Sequence, residues 1–436
     1  MIKKLNKSIE LKERSKKVSP HFTQTFSRAA PTFVEGVYPV YAESANGSHF
    51  VDVDGNIFLD YLLGLGPITL GYNYKPVNDS IIEQLNKGIL FSLPHKIELE
   101  LSELICKTIP HSEMVKFEKS GSNAVTGAVR AARAFTKRDK IAYCGSGGVW
   151  HDWYASAISR NKGVPDFNKN LIKIFEYNDS EGLEQIFEDH LGEIAAVVIE
   201  PTIYEKPNKN FLQKVRKISE NNDALLILDE IVTGFRFDLG GGQKYFDIKG
   251  DLVCFGKGMG NGLPISSITG PTEFMKIFDK LWVSTTNGSE NLSLSGTHTV
   301  INEMRDKKTI EYCWKIGQKL FDGWNKISEK SGLNILMTGY PIRMTLKCYD
   351  HDKKESQILK SIVLQEMVKR GFFLSPGPTF ISFSHTIQDI ESTLSAFEEV
   401  TKRLQNIKED QYENILEGNM PQTIFTNYIE PTKKSN

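Results

Sequence analysis

Three apolar runs in this sequence each end near a reactive or charged side chain. DLVCFGK (251–257) delivers Lys257 into the glycine-rich turn GKGMGNG, ALLILDE (224–230) carries Asp229, and AAVVIEP (195–201) carries Glu200. An amine with so little side-chain cover has room to act as a nucleophile or to carry a proton, and a carboxylate beside it can fix a cationic partner. A fourth segment, SGSNAVTGAVRAARAFTKR (120–138), places Ser120, Gly121 and Ser122 ahead of a helical pattern with Ala124, Ala128, Ala131 and Phe135 on its inner face. Free N–H groups and the helix dipole suit that turn to an anion, although an ordinary N-cap uses the same residue types.

The elements that must position these groups follow from the pattern. None of the three runs alternates apolar with polar residues, as expected of parallel strands covered by helices on both faces. Ligands of open α/β sheets sit beyond the carboxyl ends of the strands, so Glu200, Asp229 and Lys257 should converge on one site. Strand and helix patterns alternate through residues 76–325, predicting a large α/β domain with a mainly parallel sheet. Residues 1–75 read as an arm and part of a smaller domain, with VDVDGNIFLDYL (51–62) forming a hairpin that turns at Asp54-Gly55. Residues 326–407 complete that small domain and close with the amphipathic helix IQDIESTLSAFEEVTKRLQ. The polar stretch 408–436 reads as an extended arm or loose tail.

Composition excludes several classes. The 436 residues hold 53 Lys+Arg and 54 Asp+Glu for a net charge of −1, which leaves no footprint for nucleic acid or an anionic membrane. The basic opening MIKKLNKSIELKERSKK lacks a following apolar region and reads as a solvated helical arm, not a secretory signal. No apolar run reaches membrane-span length. Cys106, Cys144, Cys254, Cys313 and Cys348 are scattered, with no CxxC spacing, and the nine histidines form no HxxxH pair. That pattern points to reduced thiols in the cytoplasm and to no metal site. Gly250 to Lys257 misses the phosphate-binding P-loop because its interior is a strand and Gly258 follows the lysine. GKGMGNG and GSGGVW (145–150) miss the dinucleotide GxGxxG spacing.

Together these residues resemble the class III, fold-type I pyridoxal-phosphate (PLP) enzymes, nearest to their glutamate-1-semialdehyde aminomutase branch, from about residue 20 to about 400. The most specific element is LLILDEIVTGFRFDLGGGQKYFDIKGDLVCFGKGMGNGLP. The resemblance implies PLP as cofactor, held by Lys257 as an internal aldimine, and a large domain plus a smaller α/β domain made from both chain ends. It implies that Asp229 pairs with the pyridine nitrogen, making the ring an electron sink. Ser120, Gly121 and Ser122 become the phosphate-binding turn, with Asn123 in place of the family's usual Glu. Glu200, Val232 and Gln243 match positions near the cofactor. Thr286, in STTNGSENLSLSG (284–296), matches a threonine that reaches the neighbouring subunit's phosphate, which implies a homodimer with shared sites.

Two places need separate treatment. In CGSGGVWHDWY (144–154) the family's aromatic-His-Gly is replaced by Ser146, Gly147 and Gly148. Trp150 is then either the ring that stacks on the cofactor or, with Trp153 and Tyr154, a core aromatic. His151-Asp152 has no spacing that supports acid–base work. Arg28, in TFSRAAP (25–31), matches an arginine that grips a substrate carboxylate, for which a guanidinium fork is suited; otherwise it is a surface ion-pair residue. The activity implied is ping-pong transfer of an amino group between an amino-acid donor and a small or sugar-like aldehyde or ketone. The alternatives are the intramolecular aminomutase and, from another class, an inert PLP-fold binding protein.

Overall fold

The computed structural model describes residues 4–145, 148–203 and 205–422. It divides into two compact units, residues 75–310 and residues 4–74 with 311–422.

The first unit is built on a seven-stranded sheet. Its strands are β1 (Met114–Glu118), β2 (Lys140–Cys144), β3 (Ile172–Ile174), β4 (Ile194–Ile199), β5 (Leu225–Glu230), β6 (Leu252–Phe255) and β7 (Ser266–Gly270). They lie in the order β1-β7-β6-β5-β4-β2-β3, and β7 alone runs against the rest. Every residue of β4, β5 and β6 is buried, which explains their unbroken apolar sequence. Helix α1 (Gly121–Thr136) packs on this sheet through Ala124, Ala128 and Ala131. Phe135, expected on the same face, is 38% exposed; it lies in the last turn of α1, its ring centroid 5.0 Å from that of Phe274 in a T-shaped pair.

The second unit joins both ends of the sequence. The expected hairpin is present: His49–Asp52 pairs antiparallel with Ile57–Asp60, and Gly55 turns at φ 79°. The carboxylate of Asp52 closes the turn by accepting N–H from Asp54 at 3.0 Å and Asn56 at 2.7 Å. Phe372–Phe373 adds to Ile57–Asp60 in parallel, so the late sequence completes the sheet begun by the early one. Ile335–Tyr340, Arg343–Cys348 and Pro378–Phe380 form a separate antiparallel sheet. The helix expected near 387–405 spans Ile387–Leu404, closed by a Thr386–Asp389 capping box.

Both described chain ends are fastened by hydrogen bonds. The basic opening forms the helix Asn6–Ser15, whose Lys7 and Ser8 N–H groups donate to the Asp54 carboxylate at 2.7 and 3.0 Å. Residues 408–422 fold back through reciprocal N–H···O bonds between Glu35 and Asn419 and bury Tyr412; the remainder of the tail, 423–436, lies outside the described residues.

Candidate active site

Strand register assembles the site. In the β5–β6 ladder Asp229 lies opposite Cys254, so Lys257 leaves β6 three residues beyond the partner of Asp229. In the β4–β5 ladder Ile199 lies opposite Leu228, which brings Glu200 alongside Asp229. The three predicted strand ends therefore meet. Lys257 is half-buried and held at φ 40°, in the left-handed region a lysine seldom adopts, and turns out of the strand after the extended Gly256.

The turn before α1 joins the same cluster. Ser120 is the N-cap: its hydroxyl accepts the Asn123 N–H at 3.3 Å and donates to the Asn123 Oδ1. Asn123 thus closes the cap from its own side chain. Ser266 fixes the turn from β7 by donating to the Ser120 carbonyl at 2.7 Å. Helix geometry gives the N–H groups of Gly121 and Ser122 no carbonyl within α1, leaving them for an anion.

Ile231 links this turn to the carboxylate. Its N–H donates to Asp229 Oδ1 at 3.1 Å, and its side chain lies against two glycines. A Cβ on Gly121 would stand 2.9 Å from Ile231 Cγ2, and one on Gly256 would stand 3.1 Å from Cδ1. Gly121 thus packs directly under Ile231, and Gly256 lies close to it. Val232, expected near the cofactor, is half-buried; its neighbour Ile231, which no motif singles out, fills the gap between the two glycines.

Glu230 was also missed. It is fully enclosed at the end of β5 and accepts the Thr233 hydroxyl at 2.9 Å, the Gln243 N–H at 2.6 Å and the Gly242 N–H. Burial pushes its carboxyl up to about 7, aided by the charge of Asp229 and opposed by those donors. This carboxyl holds the GGGQ loop against the strand, where Gln243 is 2% exposed and neither atom of its amide has a hydrogen bond among the described residues.

The other expected residues stand as follows. Gly145 passes close to Glu200, with a Cβ there 3.4 Å from Oε1, so the 145–150 loop starts beside the strand ends. Ser146 and Gly147 lie outside the described residues. Ser122 donates to the Gly148 carbonyl at 3.2 Å. Trp150 is no core aromatic: it is 71% exposed, its ring centroid 4.3 Å from that of His151 in an edge-on arrangement. Trp153 and Tyr154 are buried against Tyr143. His151 Nδ1 and Trp153 Nε1 both meet the Thr126 hydroxyl, at 2.6 and 2.9 Å, which gives His151 a packing role on α1. Thr286 lies in an exposed turn, and the helix that follows is capped by Glu290, which pairs at 2.8 Å with Lys119 beside the Ser120 turn.

Arg28 belongs to the other unit. Its guanidinium donates to the Gly64 carbonyl at 3.3 Å. Gly64 lies in a turn where Leu63, Gly64, Leu65 and Gly66 all have positive φ, an arrangement that costs about 1–2 kcal/mol for each leucine. Asp60 holds the turn, accepting N–H from Leu62 at 2.7 Å and Leu63 at 3.0 Å and the Tyr72 hydroxyl at 2.6 Å. Burial raises the Asp60 carboxyl above its ordinary range against those donors.

The aminotransferase class-III family profile matches residues 33–384. The chain belongs to that family. Among curated relatives, this class III aminotransferase is 32% identical over 424 residues to a glutamate-1-semialdehyde 2,1-aminomutase of Alkaliphilus oremlandii, covering 91% of this chain and 98% of the relative. It is equally 32% identical, over 405 residues, to a 3-aminobutyryl-CoA aminotransferase of Cloacimonas acidaminovorans, covering 91% and 97%. Among solved structures, the PLP internal aldimine form of the Sphingopyxis sp. MTA144 FumI protein superposes with a TM-score of 0.85 at 23% identity, covering 94% and 98%, which shows the shared fold.

The chain is thus a fold-type I enzyme of a PLP-dependent family. Its own residues fit that cofactor: a helix N-terminus bare enough for a phosphate, a carboxylate, a lysine and a buried amide lacking a partner among the described residues converge at the strand ends. Among the described residues no helix is long and apolar enough to cross a membrane.

Proposed function

We propose that this class III enzyme transfers an amino group from an amino-acid donor to a small aldehyde or ketone in two half-reactions, with Lys257 as the catalytic amine and Asp229 as its electrostatic partner. The observation that carries this reading is the β5–β6 register that sets Lys257 three residues past the neighbour of Asp229. PLP, when bound, supplies an aldehyde for the donor's nitrogen and an electron sink for the carbanion left by loss of the α-proton. Gly121 and Ser122 bind the phosphate through N–H groups, with Ser120 fixing the turn. Asp229 keeps a proton on the ring nitrogen. Lys257 would supply the amine that holds the cofactor's aldehyde, and its Nζ would accept and give back the proton moved during transfer. Glu200, Val232 and Gln243 line the site, and Trp150 supplies the ring that stacks on the cofactor.

The enzyme works as a homodimer in which Thr286 contributes to the partner's phosphate site; the exposure of its turn supports this. Five cysteines with no disulfide between them, Cys106 among them, support a cytoplasmic setting. The intramolecular aminomutase is the second reading, favoured by Arg28 and by the name of the Alkaliphilus relative.

The experiment uses PLP-loaded protein. Borohydride should link the cofactor to the peptide containing Lys257, and an amino donor should bleach the yellow band while its oxo acid appears. Transfer of 15N from donor to a separate acceptor identifies the aminotransferase. Retention of nitrogen within one five-carbon substrate identifies the aminomutase, and absence of any yellow band defeats both.

A further inference from the structure

Residues 26–37 lie outside the sheets of their unit. Two three-residue helical turns, Phe26–Arg28 and Ala30–Thr32, lead into an irregular stretch whose backbone groups need partners elsewhere. The late sequence supplies them. Gln422 donates its N–H to the Pro31 carbonyl at 2.7 Å, and Glu35 and Asn419 exchange N–H···O bonds at 3.2 and 3.0 Å. At the crossing the two backbones touch. A Cβ on Gly418 would stand 2.5 Å from the Glu35 carbonyl oxygen and 2.8 Å from Val34 Cγ1, so a glycine lets the late stretch lie over the buried Val34 and Val37. That stretch is fastened in turn. Gln365 is fully buried in the helix Gln357–Lys369; its Oε1 accepts the Glu417 N–H at 2.7 Å and its Nε2 donates to the Ile415 carbonyl at 2.9 Å. Lys369 of the same helix pairs with Glu417, and the Glu409 carboxylate accepts the His351 N–H at 3.0 Å.

We propose that residues 408–422 are a clasp that orders residues 31–37, with Gln365 as its latch, and that the two stretches open together while the sheets of their unit stay closed. A buried glutamine amide is costly unless both of its ends are bonded, and here both ends bond the backbone of the late stretch. Removing that amide leaves the Glu417 N–H and the Ile415 carbonyl unmet, which favours release. Once residues 415–419 lift, Glu35 loses its partner and Val34 and Val37 lose the cover of Gly418. The sheets take no part in these bonds: Leu59 and Tyr61 donate to the carbonyls of Gly371 and Phe373 whether the clasp is open or shut. Stretches held by a few backbone bonds outside a sheet open locally, at a lower free energy than the whole unit. The clasp is independent of the reaction the enzyme performs, because every bond in it lies within one unit.

Amide hydrogen exchange on the PLP-loaded full chain tests this. Gln365→Leu should speed exchange at Glu35, Glu417 and Asn419 together, by about 5- to 150-fold, and leave Leu59 and Tyr61 at the wild-type rate. Gly418→Ala leaves the helix and both sheets unaltered, and should loosen the same amides by pushing a methyl onto the Glu35 carbonyl. If Gln365→Leu does not fold, Gly418→Ala carries the test. Residues that exchange N–H···O bonds lie with Cα atoms about 5.5 Å apart, within the reach of a disulfide. Oxidising the double variant Glu35→Cys, Asn419→Cys in the Gln365→Leu background should therefore return residues 31–37 and 415–419 to slow exchange. Faster exchange at 415–419 with Glu35 unchanged overturns the inference, because the late stretch would then rest on residues 31–37 without ordering them. Equal acceleration at Leu59 and Tyr61 also overturns it, because the unit would then open as one.

Discussion

Replacing Glu230 by Gln should flatten a pH dependence of stability that the fold imposes. The ordinary value for a glutamate is 4.5 and burial lifts Glu230 to about 7. Below pH 4.5 the group is protonated folded and unfolded, so it favours neither state. Between 4.5 and 7 the folded protein holds a proton that the unfolded chain has released, and stability falls as pH rises. Above 7 the folded state carries the whole penalty, on the order of 3 kcal/mol. A glutamine amide cannot ionise, so the Glu230→Gln variant lacks this slope. It carries a constant loss instead: the amide NH2 cannot accept the N–H of Gly242 or Gln243, and one unmet donor costs about 1–3 kcal/mol. Urea unfolding of both proteins at half-unit pH steps, followed in the transition that reports the 75–310 unit, gives the difference directly. Wild type minus variant should fall by up to about 1.4 kcal/mol per pH unit through the window and level off above it. A flat difference between pH 4.5 and 7 refutes the argument, since Glu230 would then titrate as an exposed carboxyl does.

Other perturbations separate the parts of the site. Gly121→Ala pushes a methyl to 2.9 Å from Ile231 and should weaken cofactor retention about 5- to 150-fold by equilibrium dialysis, from an overpacking cost of about 1–3 kcal/mol. Gly127→Ala strains the same helix away from the turn, against Ile268 at 2.7 Å, and should lower stability while leaving the cofactor's affinity near wild type. Lys257→Ala should abolish borohydride labelling and slow α-proton exchange of the donor by about 10²–10⁴-fold, and added primary amines should restore part of the rate. Asp229→Asn should slow the donor half-reaction by about 10²-fold or more in stopped-flow absorbance, while Asp229→Glu recovers part of it.

The strand ends were legible because β4, β5 and β6 are buried on both faces, so their sequences are unbroken apolar runs whose termini stand out. The Asp54-Gly55 turn and the Ser120 cap were legible because each is local: the residues that close it lie within four positions. Ile231 and Glu230 were hidden in the same apolar run that revealed Asp229, because what they do depends on Gly121, Gly256 and Gln243, far away in the chain. The turn at 63–66 was invisible for another reason. Leucine carries no turn signal, and Leu63 and Leu65 take left-handed φ only because Asp60 and its neighbours impose it. The docking of 408–422 was missed because it rests on backbone pairing with Glu35, which polar composition does not register.

The five cysteines, none in a disulfide, turn this enzyme into its own gauge of opening. Cys254 faces Asp229 across the ladder and Cys144 ends β2; burial raises both thiols, so neither is a ready thiolate in the closed sheet. Cys313 and Cys348 are buried in the other unit, and Cys106 is only partly covered. A maleimide pulse read by mass spectrometry should therefore mark Cys106 first and date the loosening of each unit by its own pair of sulfurs. Ligation of the cofactor should slow the Cys144 and Cys254 clocks and leave the Cys313 and Cys348 clocks running at their former pace.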